Sequence, residues 1–140
     1  NQFLKTKKII LEPTTIICDL DISVPLRKIS DIIGLINNYK QNTVLITAYE
    51  SERNPYFNMV EKRGKNYDIV LGSKNVVQNR QDAKKVYSLS SSIFCFNYLI
   101  LFKISHWSKG EIDIYPIPRK RGFDLDTQDD YEYFKIISNE

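Results

Sequence analysis

The densest run of side chains able to do chemistry is GFDLDTQDDY, residues 122–131. Asp124 and Asp126 are one residue apart, so in an extended chain their carboxylates project to the same side. Two carboxylates on one side make a hard-oxygen site suited to Mg2+ beside phosphate groups. The same run also reads as an acidic helix start, which the helix dipole favours and which is the commoner origin of such runs. Thr127 and Asp130 have capping-box spacing, so Asp130 fits a cap partner better than a ligand.

Two further groups carry chemistry. Arg80 in NRQD (residues 79–82) can clamp a carboxylate or phosphate through two parallel hydrogen bonds, and Gln81 can read hydroxyls or a base edge. On residues alone a solvated polar loop is the favoured reading. VPLR (residues 24–27) follows an apolar strand-like run. This puts Asp21, Ser23 and Arg27 at the carboxyl end of a strand, where open α/β sheets bind ligands; a plain strand-to-helix turn is the simpler reading. His106 has no nucleophile motif around it and reads as a surface-loop histidine. The basic run at residues 119–121 is too short to mark a partner. The serines at 90–92 lack the glycines of a nucleophile elbow. No Gly-rich phosphate loop, Walker sequence or GxGxxG occurs.

The elements that must hold these groups follow from periodicity. Residues 15–22 (TIICDLDI) and 43–48 (TVLITA) read as strands. Between them, Ser30 is expected to cap a helix over residues 31–39, with apolar positions at helical spacing. That strand–helix–strand order implies a partly parallel sheet. Residues 49–85 contain Asn54-Pro55, Gly64 and Gly72 and read as hairpins and loops projecting from the sheet. Residues 86–96 and 111–117 are further strands. A last helix, capped by Thr127, presents Tyr131, Phe134 and Ile137 on one face. The expectation is one three-layer α/β domain over residues 1–140 with an irregular arm.

Composition sets broad bounds. The 140 residues, 42% hydrophobic, suffice for one domain with a real core. A net charge of +3 demands neither nucleic acid nor membrane, and no apolar run approaches a membrane span. Cys18 and Cys95 each lie in an apolar, strand-like run without metal-type spacing. Free thiols are the reading, with a disulfide between them left open, and a reducing cytoplasmic compartment is expected.

Taken in order, these pieces resemble the CMP-N-acetylneuraminate synthetases, or acylneuraminate cytidylyltransferases. LDISVPLR at 20–27, followed by Asp31-Ile32, is similar to the family's LDxTSPLR element. NPYFNMVE at 54–61 matches a bacterial element of the family. Arg80-Gln81-Asp82 with Tyr87 resembles its RQ…Y element. Residues 90–94 resemble its NGxIY strand, with Ser90-Ser91 in place of Asn-Gly and Phe94 in place of Tyr. Residues 124–130 resemble DIDTxxD.

The resemblance implies an α/β/α nucleotidyltransferase domain with a GT-A-like mixed sheet and a dimerisation arm within about residues 49–85. It implies transfer of CMP from CTP to a nine-carbon 2-keto sugar acid, by a cytoplasmic homodimer. It implies Mg2+ at Asp124 and Asp126, Arg80 and Gln81 on the sugar acid, and Asp21, Tyr87 and Phe94 lining its pocket, with Arg27 also contacting substrate. The family's opening PARxGSK…KN phosphate loop has no counterpart, and residues 1–8 resemble a later segment. The chain is therefore expected to be an N-terminally truncated portion, inactive alone. A non-catalytic sugar-acid-binding or dimerising module is the alternative. An eight-carbon sugar acid is disfavoured, because the relative using it resembles GDEPL where this chain has SVPL.

Overall fold

Residues 43–50 are dominated by β-branched and apolar side chains, and the first six are buried, as an inner strand requires. They form β2 (Thr43–Glu50). The computed structural model describes residues 11–72, 77 and 79–138. The reading of residues 1–8 as a later family segment lies outside them. The chain is a mixed α/β protein. Among the described residues its main sheet has four strands in the order β1 (Ile16–Leu20), β5 (Tyr87–Asn97), β2 and β6 (Glu111–Pro116). β1 runs antiparallel to β5, while β2 and β6 are parallel. The expected strands are all present, within a residue or two at most ends.

Alternation along β5 and β2 sends side chains to both faces of the sheet, and each face carries a core. On one face Leu35 of helix α1 (Ile29–Asn38) packs with Leu45, Ile93 and Cys95. On the other, Val44 and Ile46 meet Ile100 of the short helix α2 (Ile100–Lys103), with Phe94, Phe96 and Trp107 around them. Gly34 lets α1 approach the sheet: a Cβ there would lie 2.0 Å from the Tyr115 hydroxyl.

The start of α1 corrects one expectation. Its N-cap is Lys28, not Ser30. The Asp31 carboxylate, at the third helical position, reaches back to accept the Lys28 N–H at 2.9 Å. That contact begins the helix before Ser30. The last helix, α3 (Gln128–Ser138), does start as read. The Asp130 N–H donates to Thr127 Oγ1 at 3.2 Å, and the Asp130 carboxylate accepts the Thr127 N–H at 2.8 Å. The expected apolar face of α3 holds only in part: Ile137 is buried, whereas Tyr131 is 48% exposed.

Residues Tyr49–Ser88 form a unit of their own. It contains a hairpin of β3 (Val60–Arg63) and β4 (Asn66–Ile69), as the turn signals implied. Its two-residue turn opens on Gly64 at φ 63°, a left-handed conformation that glycine adopts without strain. No helix among the described residues is long and apolar enough to cross a membrane.

Leu35 has no exposed surface and sits at the centre of the core under α1. Leu35→Ala is expected to destabilise the fold by about 2–5 kcal/mol in urea unfolding.

Candidate functional site

Three consecutive serines of β5 organise the site. The Ser90 hydroxyl donates to the Gly122 carbonyl at 3.2 Å. The Ser91 hydroxyl donates to Asp124 Oδ2 at 2.9 Å. The Ser92 carbonyl accepts from Arg27 Nη1 at 2.7 Å. The segment carrying Asp124 is thus fastened to the middle of the sheet. It is fastened twice more: the Leu125 N–H donates to the Ser23 carbonyl at 2.9 Å, and Arg121 pairs with Asp31 of α1 at 2.5 Å. Asp31 is almost wholly buried, so its charge needs this partner.

Asp21 stands just past the end of β1, and the Ser23 N–H and hydroxyl both donate to its Oδ1, at 3.0 and 2.8 Å. These bonds hold its pKa below the ordinary carboxylate value. The Ser23 N–H has the largest effect, followed by the Ser23 hydroxyl, with Ser91 and Arg27 adding to it against a desolvation that raises it. Ser91 thus donates its hydroxyl to Asp124 and makes a lesser contribution to the lowered pKa of Asp21. Asp21, Arg27 and Asp124, the residues picked out at the strand end and in the acidic run, are brought together.

Others are not in this group. Asp126 is exposed, and its N–H donates to Asp130 Oδ2 at 3.2 Å at the start of α3. The ring of Phe94 points to the opposite face of the sheet and packs against Trp107, with centroids 5.9 Å apart. One oxygen of Asp124 is distinctive: Oδ1 is buried and has no hydrogen-bond partner among the described residues. A buried carboxylate oxygen without a donor suits a cation. No group of three or more possible metal-ligating side chains occurs among the described residues.

Within the unit Tyr49–Ser88, Arg80 and Gln81 lie in a single 3-10 turn and line one cavity of about 310 Å3. Glu50, Ser51, Asn54, Lys84 and Lys85 complete its polar wall, with Lys85 Nζ 3.5 Å from the Glu50 carboxylate. Asn54 is buried; its Nδ2 donates to the Lys84 carbonyl at 2.9 Å and its Oδ1 accepts from the Tyr56 N–H at 2.9 Å. That explains the Asn-Pro pair of the NPYFNMVE run: the asparagine fixes the segment bearing the lysines. Tyr87 is not part of this wall and is 42% exposed. The cavity gathers three cationic side chains, Arg80, Lys84 and Lys85, against the one carboxylate of Glu50, a net positive lining that suits an anion.

No family model matches the chain. It is 31% identical over 125 residues, 87% of its length, to the post-translational flagellin modification protein B of Campylobacter coli. It is 30% identical over 93 residues, 66% of its length, to the CMP-N,N'-diacetyllegionaminic acid synthase of Campylobacter jejuni. The chain is a relative of the acylneuraminate cytidylyltransferases. It spans about half the length of the first protein, 52%, and 39% of the second.

For a relative of these cytidylyltransferases, the sequence reading missed two contributors. Ser91 looked like an ordinary strand serine, although its place where many members have glycine was a signal. Arg121 was one member of a basic run, and only its pairing with Asp31 singles it out. Arg121→Met is expected to cost about 2 kcal/mol in denaturant unfolding, because it leaves a buried carboxylate unpaired. Asp21 gives a pH test. Its pKa is depressed in the folded state, so its contribution is complete above the unfolded value of about 3.9 and is lost as pH falls through the folded value. Asp21→Asn should therefore flatten the acid limb of a plot of unfolding midpoint against pH.

Proposed function

We propose that the chain is the part of a cytidylyltransferase that activates a sialic-acid-type, nine-carbon 2-keto sugar acid with CTP. The observation that carries the reading is the 30% identity to a CMP-N,N'-diacetyllegionaminic acid synthase, joined to the Asp21–Ser91–Asp124 group. In this reaction the anomeric hydroxyl oxygen of the sugar bonds to the α-phosphorus of CTP. The bond from that phosphorus to the bridging oxygen breaks, pyrophosphate leaves, and a CMP-sugar forms.

Nucleotidyl transfer needs positioning and charge neutralisation more than covalent help from the protein. Asp124 and Asp126 are the proposed holders of Mg2+, and the donorless Oδ1 of Asp124 fits that role. Mg2+ bound there would neutralise phosphate oxygens and lower the cost of charge build-up. Ser91 fixes the rotamer of Asp124 through its hydrogen bond. Arg27 is held to the Ser92 carbonyl and keeps positive charge beside Asp21. Arg80 and Gln81 are proposed to hold the sugar acid, with Arg80, Lys84 and Lys85 offering charge to its carboxylate. Tyr87 completes the proposed substrate set, whereas Phe94 is turned to Trp107 on the other face of the sheet. The unit Tyr49–Ser88 is proposed as the dimerisation arm of a cytoplasmic homodimer. The mixed sheet fits a GT-A-like nucleotidyltransferase domain.

The test is pyrophosphate release from CTP, a sialic- or legionaminic-type acid and Mg2+, measured on the full natural coding length. Turnover is expected, and Asp124→Asn should lower kcat by about a hundredfold or more. Arg80→Lys should chiefly raise KM for the sugar acid. Absence of turnover with every nine-carbon acid, alongside retained sugar-acid binding, would favour a non-catalytic binding module instead.

A further inference from the structure

Cys18 of β1 and Cys95 of β5 face each other in register across an antiparallel strand pair. Their sulfurs are 2.7 Å apart, and both cysteines are free. Directly opposed residues in such a pair have Cα separations of about 4.5 or 5.5 Å. Both values fall within the roughly 4.4–6.8 Å span of disulfides. The two side chains need only a small rotation to bond, with no backbone rearrangement. Their accessibility differs: Cys95 is fully buried under α1 with Leu35 and Ile93, while Cys18 is only partly covered. Burial raises the pKa of the Cys95 thiol, with the Cys18 sulfur adding to it, so Cys95 stays protonated at neutral pH.

We propose that Cys18 and Cys95 are a reversible redox couple, with Cys18 the entry point and Cys95 the resolving thiol. The oxidant class is a low-molecular-weight disulfide such as oxidised glutathione. The Cys18 thiolate attacks one sulfur of that disulfide, whose S–S bond breaks and releases one thiolate. Cys95 then loses its proton to the released thiolate. Its sulfur attacks Cys18 Sγ, breaks the mixed bond and frees the second small thiol. Two protein thiols and one small disulfide become one protein disulfide and two small thiols. Excess reduced thiol reverses both steps.

The cross-link ties β1, which ends at Leu20 beside Asp21, to β5, which also carries Ser91. Oxidation would lock together the two strands that set the Asp21–Ser91 spacing. The inference rests on strand geometry and does not depend on the proposed reaction.

The experiment treats the native chain with oxidised glutathione, then counts free thiols and records the intact mass. The expected product has no free thiol, retains no glutathione and remains a single chain. Dithiothreitol restores both thiols, and the oxidised form melts at least about 5 °C higher, because the bridge closes a long loop. Cys95→Ser should stop at a glutathione adduct on Cys18; if serine there unfolds the chain, Cys95→Ala serves the same purpose. Wild type that keeps both thiols, holds the adduct or cross-links between chains would overturn the couple. So would a Cys95 variant that folds and takes up no glutathione.

Discussion

The hydrogen bond from the Ser91 hydroxyl to Asp124 joins two parts of the chain that sequence separates by more than thirty residues. Everything proposed for the site depends on it. Ser91 is the middle member of a run in which each residue makes a different connection. Ser90 holds the Gly122 carbonyl and the Ser92 carbonyl holds Arg27. An inner strand offers this opportunity because alternate residues face opposite sides while the backbone stays rigid. The strand itself is secured by Thr47 of β2, whose hydroxyl meets both the Ile93 N–H and the Ser90 carbonyl at 3.1 Å.

Burial makes these contacts consequential. A carboxylate withdrawn from water must find donors, a cation, or a proton. Asp31, almost wholly buried, finds Arg121 and the Lys28 N–H; the more exposed Asp21 and Asp130 find Ser23 and Thr127. Asp124 is the exception: Ser91 satisfies one oxygen and the other is left without a donor. The fold places that unsatisfied oxygen where the acidic run, the Asp21 turn and Arg27 meet. A cavity lined by Arg80, Lys84, Lys85 and Glu50 lies within the unit Tyr49–Ser88.

Local signals were legible in the sequence because they depend on neighbours a few residues apart. The strands at 16–20 and 43–50 announced themselves by β-branched runs. The Thr127–Asp130 box was readable from spacing alone. Asp21, Arg27 and Asp124 could be picked out as strand-end and acidic types, and the fold brings them together. What spacing could not reveal was the partner of each. Lys28 displaced Ser30 as a cap because Asp31 reaches back, and Asp31 is held in place by Arg121 from ninety positions away. Lys84 and Lys85 acquire meaning only once Asn54 pins their segment. Phe94 matched a family position, yet strand alternation turns its ring toward Trp107.

Ser91's bond to Asp124 and its influence on Asp21 can be read by side-chain carboxyl NMR. The wild-type chain and Ser91→Ala would be labelled at aspartate and followed through acid pH. Loss of the hydroxyl should raise the titration midpoint of Asp21 toward the ordinary carboxylate value and shift the Asp124 resonance at neutral pH. The other aspartates should be unchanged. An unchanged Asp21 titration together with an unchanged Asp124 resonance in the two chains would contradict the arrangement on which the site is built.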